Sequence, residues 1–145
     1  MDAAIEQYAP SETRNDQPEV LLTFPYNLHR SCLHMQVRSG SKAKNLVQYA
    51  LRKLLSNDPN VEQITWNAFG DGISKAIACA EMIKRRAGIE FYEHVQIGYK
   101  RVEDIWKPVN SNVELDTLKV NKDIPAISIL LSKNPLVKSK TEGDN

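Results

Sequence analysis

The chain has 145 residues, 41% of them hydrophobic and 26% charged, enough for one domain with a modest core. No run of 18 apolar residues occurs, which excludes a transmembrane helix. The formal net charge of +1 conceals an asymmetry: residues 1–19 hold five acids and one base, whereas residues 20–138 carry +6, a balance that points toward a polyanion partner.

The first residues lack the basic start and apolar stretch of a signal peptide, so an intracellular setting is expected. Cys32 and Cys79 fall on different predicted elements and are expected to be free thiols. Residues 1–28 are polar and without sustained periodicity, the pattern of a disordered acidic tail. The apolar patch VLLTFPYNL inside it would dock on the domain or on a partner.

Leu33, Met35 and Val37 alternate with His34, Gln36 and Arg38, the period of a half-buried strand. Ala43, Leu46, Val47, Ala50, Leu51, Leu54 and Leu55 then recur at the helical period. Ser41 is the expected N-cap, and Asn57-Asp58-Pro59-Asn60 is the stop. VEQITWNAF reads as a second strand, with Ile64, Trp66 and Ala68 on one side. Gly70-Asp71-Gly72 turns into a second helix striped by Ile73, Ala76, Ile77, Ala80 and Ile83. Lys84, Arg85 and Arg86 suit its C-terminal dipole, and Gly88 ends it. FYEHVQIGYKRV is a third strand, with Val95, Ile97 and Tyr99 on one side. IPAISILLS is a fourth, apolar on both faces. Residues 103–123 between them form a long charged connection, and residues 137–145 a second disordered tail. The order β-α-β-α-β-β predicts an α+β, two-layer sandwich over residues 29–136. Its sheet is mixed and four-stranded with both helices on one face, leaving the other face wet or covered by another molecule.

No catalytic set emerges. His29, Cys32 and His34 lack a second clustered pair to complete a zinc site. GDGISK lacks the third glycine of a dinucleotide fingerprint, because Lys75 occupies that place, and GSKAKN lacks the Gly-Lys-Ser/Thr order of a P-loop. No metal or cofactor is expected. What remains is a pair of strand-to-helix turns that combine glycine, free helix N–H groups and lysine. Gly40, Ser41, Lys42 and Lys44 form one; Gly70, Gly72, Ser74 and Lys75 form the other. Lysines are unfavourable in a first helical turn unless an anion joins them there, and the two turns can share one edge of the sheet, a phosphate-binding arrangement that reads no bases.

MQVRSGSKAKNLVQYAL, GDGISKAIACAEMIKRR and IPAISILLSKNPL resemble the Alba family, and within it the branch of larger Alba-type subunits of eukaryotic ribonuclease P and ribonuclease MRP. The resemblance covers roughly residues 33–136 and is most specific from Ser74 to Arg86. It implies the Alba fold and a non-catalytic RNA-binding role in tRNA and rRNA processing. The implied partners are the ribonuclease P or MRP RNA, the smaller Alba-type subunit in a heterodimer, and other ribonuclease P proteins, in the nucleus and nucleolus. The alternative is a general Alba-type RNA or DNA binder acting as a homodimer in mRNA or chromatin metabolism. The family's nucleic-acid contacts fall on Ser41, Lys42, Lys44 and Lys75; Gly40, Arg85 and Arg86 complete the candidate RNA-binding set. Residues 103–123 correspond to its flexible arm. Where relatives often carry a basic residue, this chain has Asp71, expected instead to cap the second helix. A partner chain is expected to cover surplus apolar surface, with Ala78 and Ile129 as candidate interface positions.

Overall fold

Alternation of apolar side chains builds the sheet, and a helical stripe on each crossover covers it. The computed structural model describes residues 8–14, 20–56, 61–108 and 118–139. Strand β1 is Tyr8–Arg14, β2 Cys32–Gln36, β3 Gln63–Phe69, β4 Tyr92–Pro108 and β5 Leu118–Ser132; helix α1 is Ala43–Leu55 and α2 Ile73–Ala87. The strands form one five-stranded sheet in the order β1-β4-β5-β3-β2. β2 runs parallel to β3, and β5 lies antiparallel between β3 and β4. The α+β arrangement of two helices on a mixed sheet is thus the expected one, with β1 added as a fifth strand.

The helices sit over β2, β3 and β5. Met35, Val37, Ile64, Trp66, Ala68, Ile127, Ile129 and Leu131 meet Val47, Ala50, Leu54, Ala76, Cys79, Ala80 and Ile83 in one buried cluster. Ile129, a candidate interface position by sequence, is only 3% exposed and belongs to this core. Ala78 is exposed on α2. Gly88 ends α2 with φ of 65°, a left-handed conformation that glycine adopts without a Cβ penalty.

The second face of the sheet is polar and is closed by the chain itself. Gln63, Thr65, Asn67, Ser128 and Ser132 are buried there, under residues 20–29. The Gln36 amide donates to the Val20 carbonyl at 2.7 Å and accepts from the Val20 N–H at 3.0 Å. Further along, the Leu22 N–H donates to Ser128 Oγ at 3.0 Å and the His29 N–H to Gln63 Oε1 at 2.6 Å. Phe24 and Tyr26 set their rings edge-on to His94. This strap covers the polar face over residues 20–28, where composition predicts a tail. Val137 and Ser139 return to pair with Asn27 and Pro25, so the ordered chain runs past the expected end of the domain at residue 136. The remainder of the expected C-terminal tail lies outside the described residues.

Two further expectations are corrected. The connection expected over residues 103–123 is mostly a long hairpin. β4 and β5 stay paired from Tyr92↔Ser132 to Trp106↔Leu118, and β1 adds along residues 103–108. Alternating charges on a two-stranded ribbon mimic a solvated loop in sequence. The helix caps also differ. Lys42 occupies the N-cap of α1 and makes no side-chain cap bond. Ser41 Oγ instead accepts from the Arg38 N–H at 2.9 Å, closing the turn before the helix. Asp71 lies within a single 3-10 turn, Gly70–Gly72, and Gly72 holds the N-cap of α2 with no side-chain bond, so Asp71 caps nothing.

Candidate nucleic-acid interface

Both strand-to-helix turns leave the C-terminal ends of parallel strands, so the β2–α1 turn and the β3–α2 turn lie side by side on one edge of the sheet. Gly40, Lys42 and Lys44 are exposed there and Ser41 is half-buried. No acidic residue occupies the first turn of either helix. Lys75 joins the two turns: its ammonium donates to the Ser39 and Ser41 carbonyls, each at 2.6 Å. It therefore organises the first turn from the second helix. Arg85 and Arg86 are not brought to this edge. They lie ten residues further along α2, about 15 Å away at the helical rise.

The structure adds residues that spacing did not single out. Arg38, Ser39, Val37, Phe69, Gly70, Asp71, Gly72 and Ile124 line a groove of about 410 Å³ between the turns. Lys100 reaches the same place from β4, with its ammonium 4.8 Å from the centre of the Phe69 ring. Burial, and then the Arg38 guanidinium, hold Lys100 below the usual lysine range. Arg38 follows β2 and Lys100 lies in β4, with β3 and β5 between those strands, so spacing along the sequence does not show that they share this edge. Beyond Lys100 the β4–β5 hairpin continues past this edge, carrying Arg101 paired to Asp123 at 3.1 Å and Lys122 paired to Asp104 at 2.5 Å.

A second exposed feature lies on the helix side of β4. The helices pack mainly on β2, β3 and β5, so Val95, Ile97 and Tyr99 project from β4 uncovered, and Ile77 is exposed on α2; Ile97 is 70% and Tyr99 71% exposed. Their common side agrees with the strand alternation.

Burial disfavours the thiolate at both cysteines. Burial pushes Cys32 up to about 12. Cys79 is raised as well, by burial, with Lys75 pulling the other way. Because the thiolate is the reacting form, iodoacetamide at pH 8 should modify both cysteines far more slowly in native protein than in urea, as read by mass spectrometry. Rapid labelling of native Cys32 would contradict the burial. Among the described residues no group of three or more His, Cys, Asp or Glu side chains could hold a metal ion.

A mixed sheet backed by two helices, with paired glycine turns and a hairpin arm at one basic edge, is an Alba-type α+β domain. The Alba family model matches residues 33–99, and the chain carries an Alba domain there. A ribonuclease P protein subunit p25-like protein from Bos taurus is 36% identical over 104 residues, covering 72% of this chain and 62% of the relative. Ribonuclease P protein subunit p25 from Rattus norvegicus is 31% identical over 119 residues, covering 76% of this chain and 58% of the relative. The chain thus spans about three-fifths of the length of these curated relatives. Among solved structures, Alba from Thermoplasma volcanium superposes with a TM-score of 0.43 at 16% identity, over 70% of this chain and 98% of that one.

Proposed function

We propose that the chain is a non-catalytic RNA-binding subunit of a ribonuclease P or ribonuclease MRP type ribonucleoprotein. It would brace a stem-loop of the catalytic RNA and serve tRNA 5′-end maturation and rRNA processing in the nucleus and nucleolus. The observation that carries this reading is the edge where Arg38, Lys42, Lys44 and Lys100 gather around two glycine turns held together by Lys75. Relatives named as ribonuclease P protein subunits support the choice of ribonucleoprotein. The uncovered apolar strip of Ile77, Val95, Ile97 and Tyr99 is where a second, smaller Alba-type chain would pack as heterodimer partner. Other ribonuclease P proteins would bind around this pair. The chain itself would supply position and charge, and the RNA the chemistry. Affinity purification from native extract, with sequencing of the bound RNA and identification of the paired protein, tests the reading. Recovery of mixed mRNA or DNA with a second copy of this chain would favour the general homodimeric binder.

Lys42 and Lys44 are exposed and stand at a helix start without acidic neighbours or a side-chain cap, so both are expected to bind phosphate. Replacing both by alanine should weaken RNA binding across sequences. The magnitude of the log-affinity against log-salt slope should fall by ~0.7 to 0.9 for each phosphate that is no longer neutralised. Titrations at several salt concentrations decide the point, and an unchanged slope would reduce the two lysines to solvated surface charge.

A further inference from the structure

The groove between the two turns is built rather than incidental. A Cβ on Gly72 would stand 2.7 Å from the Val37 carbonyl oxygen, so only glycine lets the floor of one turn touch the base of the other. Gly70 has φ of 56°, and a Cβ there would press on Ile124 Cγ2 at 3.3 Å, narrowing the groove. Lys75 fixes the opposite wall through Ser39 and Ser41. The volume of about 410 Å³ falls within the ~300–1,000 Å³ of small-molecule sites. Phe69 and Ile124 give it an apolar side, and Arg38 and the nearby Lys100 make its surroundings cationic.

One lining residue contradicts a purely phosphate-binding groove. Asp71 is exposed and is the carboxylate among the residues that line it. A carboxylate accepts hydrogen bonds and repels phosphate. The ligand must therefore bring donors to this wall and its negative charge to the other. A nucleotide does both when its base enters and its phosphate stays outside. Single-stranded bases are commonly held in this manner, lodged against aromatic or guanidinium planes and bonded on their edges. Guanine matches a carboxylate best, because its N1–H and N2–H point the same way and reach both oxygens at once. Adenine and cytosine set a ring acceptor beside their single amine, and uracil flanks its one N–H with carbonyls.

We propose that this groove takes an unpaired guanine of bound RNA, with Asp71 accepting from its Watson–Crick edge, Phe69 and Ile124 against the ring, and Arg38 and Lys100 on its phosphates. The inference rests on the RNA-binding reading and adds base selectivity to it.

The test uses the full chain and three fluorescently labelled single-stranded RNA octamers of uridine, differing only at one central guanosine, inosine or adenosine. Anisotropy titration of the wild-type chain should favour the guanosine probe over adenosine by about tenfold, with inosine, which keeps N1–H and lacks the N2 amine, in between. Asp71→Asn should remove the preference while binding the adenosine probe at least as tightly, since a negative charge has left the edge. Its thermal midpoint should match wild type, because Asp71 makes no cap. Equal, salt-sensitive binding of all three probes by wild type would overturn the guanine pocket and leave the RNA-binding reading standing. A preference that survives in Asp71→Asn would overturn the role of the carboxylate. Failure of every probe to bind would remove the RNA-binding reading itself, and the pocket with it.

Discussion

A glutamate in place of Ile97 is expected to weaken pairing with the proposed second Alba-type chain by at least ~100-fold while leaving the fold intact. The two effects separate because Ile97 is 70% exposed in the single chain. A charge there meets water and costs the isolated domain little. Val95, Tyr99 and Ile77 are exposed as well, since α2 packs on β3 and β5 and meets β4 at the Lys84–Glu93 pair, 2.9 Å apart. Each such side chain gains ~1.5–3 kcal/mol on full burial. In an interface the substitution loses one of those gains and adds the desolvation of an unpaired carboxylate, a few kcal/mol more. A weakening of at least ~100-fold follows, since each 1.4 kcal/mol is tenfold. Sedimentation velocity at micromolar concentration, with the chain co-expressed with the proposed smaller Alba-type chain, reads the result. A variant that still sediments as a pair would place the partner elsewhere. Glutamate at Ile129 supplies the contrast. That side chain lies in the core at 3% exposure, so the same charge should unfold the protein instead of releasing a partner.

The contrast between Ile97 and Ile129 shows what strand alternation can and cannot reveal. Both residues sit on the helix side of the sheet and pack next to one another across β4 and β5, through Val95↔Ile129 and Ile97↔Ile127. Period-2 patterning assigns that side to each. It says nothing of how far the helix layer extends, which depends on where α1 and α2 lie. The two helices, strands β2 to β5 and their succession along the chain are legible because their apolar stripes each keep one period. The strap is not. VLLTFPYNL has neighbouring apolar residues and a proline, with no period, and the sheet face beneath it carries Gln36, Thr65, Asn67 and Ser128, which read as solvent-facing. At the candidate site the lysines of the turns are legible from their odd place at helix starts. Arg38 follows β2, Phe69 ends β3 and Lys100 lies in β4, so the three converge only through the fold. Spacing assigns Lys75 to the RNA, whereas its bonds to Ser39 and Ser41 give it a structural task.

Phe24→Ala is expected to cost about 3–5 kcal/mol of stability, the range for removing a buried aromatic ring, although the residue lies in a segment whose composition suggests a tail. Phe24 is 6% exposed and meets the His94 ring edge-on at 5.8 Å, while Tyr26 meets the same ring at 5.0 Å. The hydrogen bonds of the strap cannot hold it alone. If it lifted away, Gln36 and Ser128 would re-pair with water, so each bond contributes only ~0.5–1.5 kcal/mol net. Val20 and Phe24 are the buried apolar anchors, and Gly98 leaves room for Leu22 between them, since a Cβ there would stand 3.2 Å from a Leu22 methyl. Loss of the ring leaves a cavity over a polar sheet face that cannot collapse to fill it. In a domain of this size the thermal midpoint should drop by roughly 10 °C. Leu21→Ala, at a strap position 47% exposed, should melt within a degree or two of wild type. Calorimetry of the two variants distinguishes a packed strap from a loose tail, because a tail would leave both midpoints unchanged. The Phe24 variant should also expose the polar face to exchange, so amides of Leu22 and Val20, bonded to Ser128 and Gln36, should lose protection before those of β3.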